Sequence, residues 1–145
     1  TVKESYSFVQ LMMKINDPRE ILQQNTENGK NVYEKFEKRN KRYELLYERA
    51  IEMKDDEKIV FTYVDDKYSF TSDLANDLLH RTKARFIFVG REDKGEIKAS
   101  ARNREKGVDL HKAVQKAVDG LNGYGGGHSH AIGCCLKMAD YPSAV

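Results

Sequence analysis

Several features that would narrow the function at once are missing. No run of about 18 apolar residues occurs, so no membrane-spanning helix is expected. Nothing near the start resembles a signal peptide. Neither sign of charge dominates: 25 Lys and Arg stand against 23 Asp and Glu, a net charge of +2. Phosphate, if it is bound, is therefore held locally and not by a general basic field. Cysteine is scarce and has no Cys-x-x-Cys spacing; the two residues, Cys134 and Cys135, are adjacent. Neighbours on a strand point to opposite faces, which places them poorly for a mutual bridge and predicts packing cysteines in a reducing, cytoplasmic setting. The chain opens Thr1-Val2-Lys3 without a Met, which predicts a piece of a longer protein.

What is present reads as globular. Among 145 residues, 39% are hydrophobic and 33% charged, enough for one domain with additional helix and a core that needs no disulfide or structural metal. Residues 1–54 read as helical. Val9, Met12 and Met13 form a first apolar patch, Asp17-Pro18 reads as a helix start, and Asn28-Gly29 as the next break. From 30 to 54, Val32, Phe36, Tyr43, Leu46, Tyr47, Ala50 and Ile51 recur near the helical period. A helix of that length spans roughly 37 Å, and either connects two domains or lies across one core.

Beyond Asp55-Asp56 the pattern changes. Residues 59–64 are β-branched and aromatic and predict a buried strand. Ser72-Asp73 is suited to cap a short helix carrying Leu74, Leu78 and Leu79; 85–91 reads as a second strand; Asp93-Lys94-Gly95 as a hairpin turn. In 96–102, Ile97, Ala99 and Ala101 alternate with Lys98, Ser100 and Arg102, as on a strand with one buried face. A helix over 108–121 and a last strand near 133–138 complete the order. The expectation is an α/β fold: a mixed β-sheet with flanking helices, preceded by a long helical connector, with residues 1–54 as connector and 55–145 as domain.

The run Gly125-Gly126-Gly127-His128 needs an explanation, because consecutive glycines cost backbone entropy. They suit a loop where the backbone approaches a ligand closely; exposed N–H groups there can cup an anion, and the imidazole adds a donor. A flexible turn between helix and strand has the same composition. No Gly-Lys-Ser/Thr follows, so the run is not a Walker loop, and a helix precedes it, unlike a Rossmann fingerprint. Arg102 and Ser100 share a strand face and have the chemistry for phosphate, with Asn103 at the strand end; a solvated polar face reads the same way. His128 and His130 would share a face if the strand continued, but no further ligands at metal spacing accompany them, and His130 reads as an accessory substrate contact or a hydrogen-bonded histidine. Tyr124, beside the run, is suited to stacking on a base or to ordinary packing.

Gly125-Gly126-Gly127-His128, followed by Ala131 and Gly133, resembles the GGGH-x-x-A-x-G signature of the DHH-associated C-terminal domain. Ile132 stands where that family often has Ala. Ser100-Ala101-Arg102-Asn103 resembles its Ser-x-Arg-Ser strand end, with Asn103 in place of the last Ser. Asn16-Asp17-Pro18-Arg19-Glu20 and a charged helix with Asn40 and Arg42 are similar to the connector of the RecJ branch, so the resemblance covers most of the chain. It implies that Arg102 and Gly125 to His128 hold substrate phosphate, with weaker help from Ser100 and Asn103. It also implies Mn2+ or Mg2+ in a missing DHH lobe that carries the Asp-His-His motif absent here, no cofactor in this chain, and no hydrolysis by this chain alone. The partners implied are single-stranded nucleic acid or a short oligonucleotide and the missing lobe. Rival expectations are a lobe of an oligonucleotide or cyclic-dinucleotide phosphodiesterase, and a non-catalytic replication-complex or tRNA-binding module.

Overall fold

A computed structural model describes residues 2–55, 57–65 and 67–141. The chain divides into two compact units, residues 1–45 and 46–145.

The first unit is helical: α1 (Val2–Met12), α2 (Arg19–Gln23) and the start of α3 (Glu27–Glu52). The Val9, Met12 and Met13 patch is exposed, as is Phe36, whereas Val32 is buried. Asn28-Gly29 does not break the helix; α3 has already begun at Glu27, and the break lies at Gln24, whose φ is 52°. The reason is a local clasp. The Glu20 carboxylate accepts from the Asn16 and Asp17 N–H groups and from the Thr26 hydroxyl, and Thr26 Oγ1 accepts from the Gly29 N–H at 3.1 Å. Thr26 thus caps α3, and Gly29 is needed because a side chain there would strike the Glu20 carbonyl.

The second unit starts with the last turns of α3, where Leu46 and Ala50 are buried. Then come β1 (Lys58–Val64), α4 (Thr71–Arg81), β2 (Phe86–Asp93), β3 (Glu96–Asn103), α5 (Leu110–Val118), β4 (Gly123–His128), β5 (Ala131–Lys137) and a 3-10 turn (Met138–Asp140). The sheet order is β1-β2-β3-β5-β4; β1 and β2 are parallel and the other pairs antiparallel, a mixed sheet as expected. The alternation read in β3 sets its two faces. Ala101 joins Leu110 and Ile132, and Ile97 and Ala99 join Cys134, all on the α5 side with Phe88 and Val114. Ser100 and Arg102 face α4, which lies over β2 and β3.

Three local expectations change. Ser72 does not cap α4: the cap position is Phe70, without a side-chain bond, and the Ser72 hydroxyl accepts from Arg102 instead. The helix expected over 108–121 is shorter, because Asp109 caps it at Leu110 and the chain leaves it at Asp119 in extended geometry. The glycine run is not a loop. It is an edge strand, β4, that pairs in register with β5. Glycine has no intrinsic preference for strands, so only pairing with β5 makes this one. The hairpin turn then falls on Ser129 and His130, which removes His130 from the strand face of His128.

Candidate functional site

Register determines what meets on the α4 side of the sheet. Arg102 pairs with Ala131, and Ala131 with His128, so Arg102 and His128 lie in one cross-strand row. Two strand spacings separate their backbones, about 9.5 Å. In the next row Ser100 pairs with Gly133 and Gly133 with Gly126. Gly126 and Gly133 are exposed and Ala131 is small, so beyond the edge of α4 the sheet is a floor almost without side chains, with Arg102 and His128 standing at one end.

Arg102 is held in place. Its Nε donates to Asn76 Oδ1 at 2.6 Å, one Nη to Ser72 Oγ at 2.8 Å and the other to the Ala101 carbonyl at 2.9 Å. Ser72 and Asn76 are one helical turn apart on α4 and present both acceptors together. Partial burial draws the guanidinium below its ordinary value, but it stays a cation, with donors left over from a five-donor fork.

The other candidates divide. Gly125, Gly126, Gly127 and His128 all lie on β4 at the sheet edge. Gly127 has φ 153°, and a side chain there would strike the Ala131 carbonyl, so glycine is required by the backbone itself. At Gly126 a Cβ would meet nothing within 4 Å, so packing does not require glycine there. Ser100 is buried and its hydroxyl bonds Thr71 Oγ1 at 3.1 Å, while Asn103 is buried and spans to the Glu105 N–H and to the Glu105 and Val108 carbonyls. Both shape the surroundings of Arg102. His130 is exposed in the turn; its carbonyl accepts from the Asn103 N–H, and that of Ser129 from the Leu110 N–H, which fixes the hairpin end against β3 and α5. Tyr124 is 70% exposed, so its ring is not core packing.

At the other end of the floor, Tyr124 pairs with Cys135 and Cys135 with Lys98. Between them is a shallow cavity of about 440 Å³, lined also by Gly126 and Gly133. The neighbouring Cys135 sulfur pushes the Tyr124 phenol up. Cys134, on the opposite face, is free, and burial pushes its thiol up to about 11. Sequence reasoning had put Lys98 on the outward face of β3 without singling it out; its i, i+2, i+4 relation to Ser100 and Arg102 was the available signal. Ser72 and Asn76 gave none, because they come to Arg102 across some thirty residues of chain. Among the described residues no three His, Cys, Asp or Glu side chains are grouped to hold a metal ion.

The DHHA1 domain pattern matches residues 56–144. The chain belongs to the DHHA1 domain family. This is the family to which the GGGH and Ser-Ala-Arg-Asn motifs pointed. No curated protein matches the sequence. Among solved structures, the DHHA1 chain is similar to RecJ from Thermus thermophilus in complex with Mn2+, at 18% identity and TM-score 0.52, over 81% of this chain and 18% of that one. It is similar to the C-Ala domain of alanyl-tRNA synthetase from Aquifex aeolicus, at 18% identity and TM-score 0.50, over 63% of this chain and 88% of that one. A pGpG-specific phosphodiesterase from Vibrio shares the fold at 14% identity and TM-score 0.51, over 77% of this chain and 38% of that one. The DHHA1 chain thus spans less than a fifth of the RecJ chain, and these similarities establish the fold. Among the described residues no helix is long and apolar enough to cross a membrane.

Proposed function

We propose that this DHHA1 domain is the phosphate-holding lobe of a RecJ-like, metal-dependent phosphodiesterase acting on single-stranded nucleic acid, with a companion DHH lobe supplying Mn2+ or Mg2+. The observation that carries the reading is the single row containing Arg102 and His128, set beside the glycine floor of Gly126 and Gly133. A guanidinium fixed by Ser72 and Asn76 offers a pre-formed fork to a phosphate oxygen at little entropic cost. The bare floor lets the ligand backbone come close, and His128 can donate to a second oxygen. In the intact enzyme, Mn2+ or Mg2+ held by the companion lobe would supply an activated water for attack on the phosphodiester. This chain's part is to bind, orient and balance charge, so alone it binds without hydrolysing.

The test is a titration of the chain with a 5′-phosphorylated single-stranded oligonucleotide, followed by backbone amide NMR. Shifts should concentrate on Arg102 and on Gly125 to His128. Arg102→Ala should remove most of the affinity, and Arg104→Ala, at a residue whose guanidinium bonds the Thr82 carbonyl, should remove little. Because Arg102 also ties β3 to α4, His128→Ala at the exposed strand end is the second variant. Equal losses from Arg102→Ala and Arg104→Ala would show that only diffuse charge matters. On the intact parent, a preference for longer strands supports the nuclease, and a preference for dinucleotides supports the short-oligonucleotide phosphodiesterase.

A further inference from the structure

The far end of the glycine floor has its own chemistry. Lys98 and Tyr124 flank Cys135 in one row, four residues along each strand from the Arg102–His128 row. That separation is about 13 Å. Lys98 is also a loosely held cation. It lies 4.0 Å from Asp93 Oδ2 and 3.9 Å from Glu96 Oε2, at the outer limit of ion pairing. Each of those carboxylates already has a tighter partner: Asp93 accepts from Arg91 at 3.0 Å, and Glu96 from Lys137 at 2.8 Å. Of the cations paired with Asp93 and Glu96, Arg91 and Lys137 have the short contacts, and Lys98, with the long ones, is the cation that lines the cavity. Tyr124 is 70% exposed, and the cavity that it lines with Lys98 is lined also by the floor residues Gly126 and Gly133.

We infer that Lys98 and Tyr124 form a second nucleotide subsite, in which Tyr124 stacks a base and Lys98 takes the phosphate of a nucleotide further along the strand. The inference deepens the proposed function and rests on its Arg102–His128 phosphate site. One phosphate cannot bridge about 13 Å of extended strand, whereas a chain of two or three nucleotides can. The surface therefore selects by length: a trinucleotide occupies both ends and a mononucleotide only the Arg102 end. Stacking on an aromatic ring tolerates any base, so the selection carries no sequence preference.

The experiment compares 5′-phosphorylated thymidine mononucleotide and trinucleotide as ligands of the 145-residue chain, by amide NMR titration. The trinucleotide should bind roughly 5- to 150-fold tighter, the range that one stacked base provides. Lys98→Ala with Tyr124→Ala should erase that advantage and leave the mononucleotide affinity unchanged. Tyr124→Phe, which keeps the ring, should retain it. Equal affinities for the two ligands in the unaltered chain, or an advantage that survives the double variant, would overturn the second subsite while leaving the Arg102 site standing. Failure of both ligands to perturb Arg102 and His128 would instead remove the phosphate reading and the subsite together.

Discussion

Replacing Gly126 by Ala separates the two reasons for a glycine in this strand. A methyl at Gly126 meets nothing within 4 Å, and the residue is not in a left-handed conformation. Folding should therefore gain from a less flexible unfolded chain, by about 0.4–1 kcal/mol. With a urea m-value near 2 kcal/mol/M, that moves the unfolding midpoint up by roughly 0.2–0.5 M. Gly127→Ala is the contrast. At φ 153° with its Cβ driven into the Ala131 carbonyl, it should cost at least about 1–3 kcal/mol, lowering the midpoint by roughly 0.5–1.5 M. Binding should report the opposite order of concern. The Gly126 methyl stands on the floor beside the Arg102–His128 row and holds a phosphate away from the sheet, so oligonucleotide affinity should fall about tenfold or more, some 1.4 kcal/mol, in a protein that is no less stable. Urea unfolding monitored by circular dichroism and an oligonucleotide titration on the same sample decide it. Unchanged affinity in Gly126→Ala would refute the floor as a binding surface, and strong destabilisation would refute the open geometry around it.

Other outcomes follow from the core and the ionisable groups. Leu110→Ala removes a fully buried side chain packed against Ala101 and Ile132, and should cost about 2–5 kcal/mol in urea unfolding. Cys134, with its thiol pushed up to about 11, should resist a thiol reagent at pH 8 in the native state and react promptly in denaturant. The Glu96 carboxyl is held below its ordinary 4.5, first by the hydrogen bond from Lys137. Its stabilising contribution is therefore complete above about pH 4.5 and is lost as pH falls through the lower folded value. Lys137→Met should flatten that part of the acid unfolding curve, and an unchanged curve would show that the pair contributes nothing.

Much of the second unit was legible because single residues reported on both faces of an element. Ile97, Ala99 and Ala101 against Lys98, Ser100 and Arg102 gave β3, its buried side and the face that holds Arg102, since side-chain direction in a strand follows from period two alone. The glycine run was legible as a special segment but not as a strand. Glycine carries no pattern, and the pairing that makes β4 is supplied by β5 across the turn at Ser129 and His130. Asn28-Gly29 misled for the opposite reason: the dipeptide has turn composition, yet Thr26 and Glu20 cap a helix that passes through it.

By itself the sequence determined the family, through two short motifs separated by one helix, and the alternating strand that presents Arg102. Those are properties of local spacing, which the chain carries wherever it is read. Only the tertiary structure decided that His128 stands in the same row as Arg102, that Ser72 and Asn76 fix the guanidinium, and that Lys98 and Tyr124 share the far end of a bare floor. Strand register and sheet order set those neighbours, and both depend on pairings between segments distant in sequence, which no local pattern encodes.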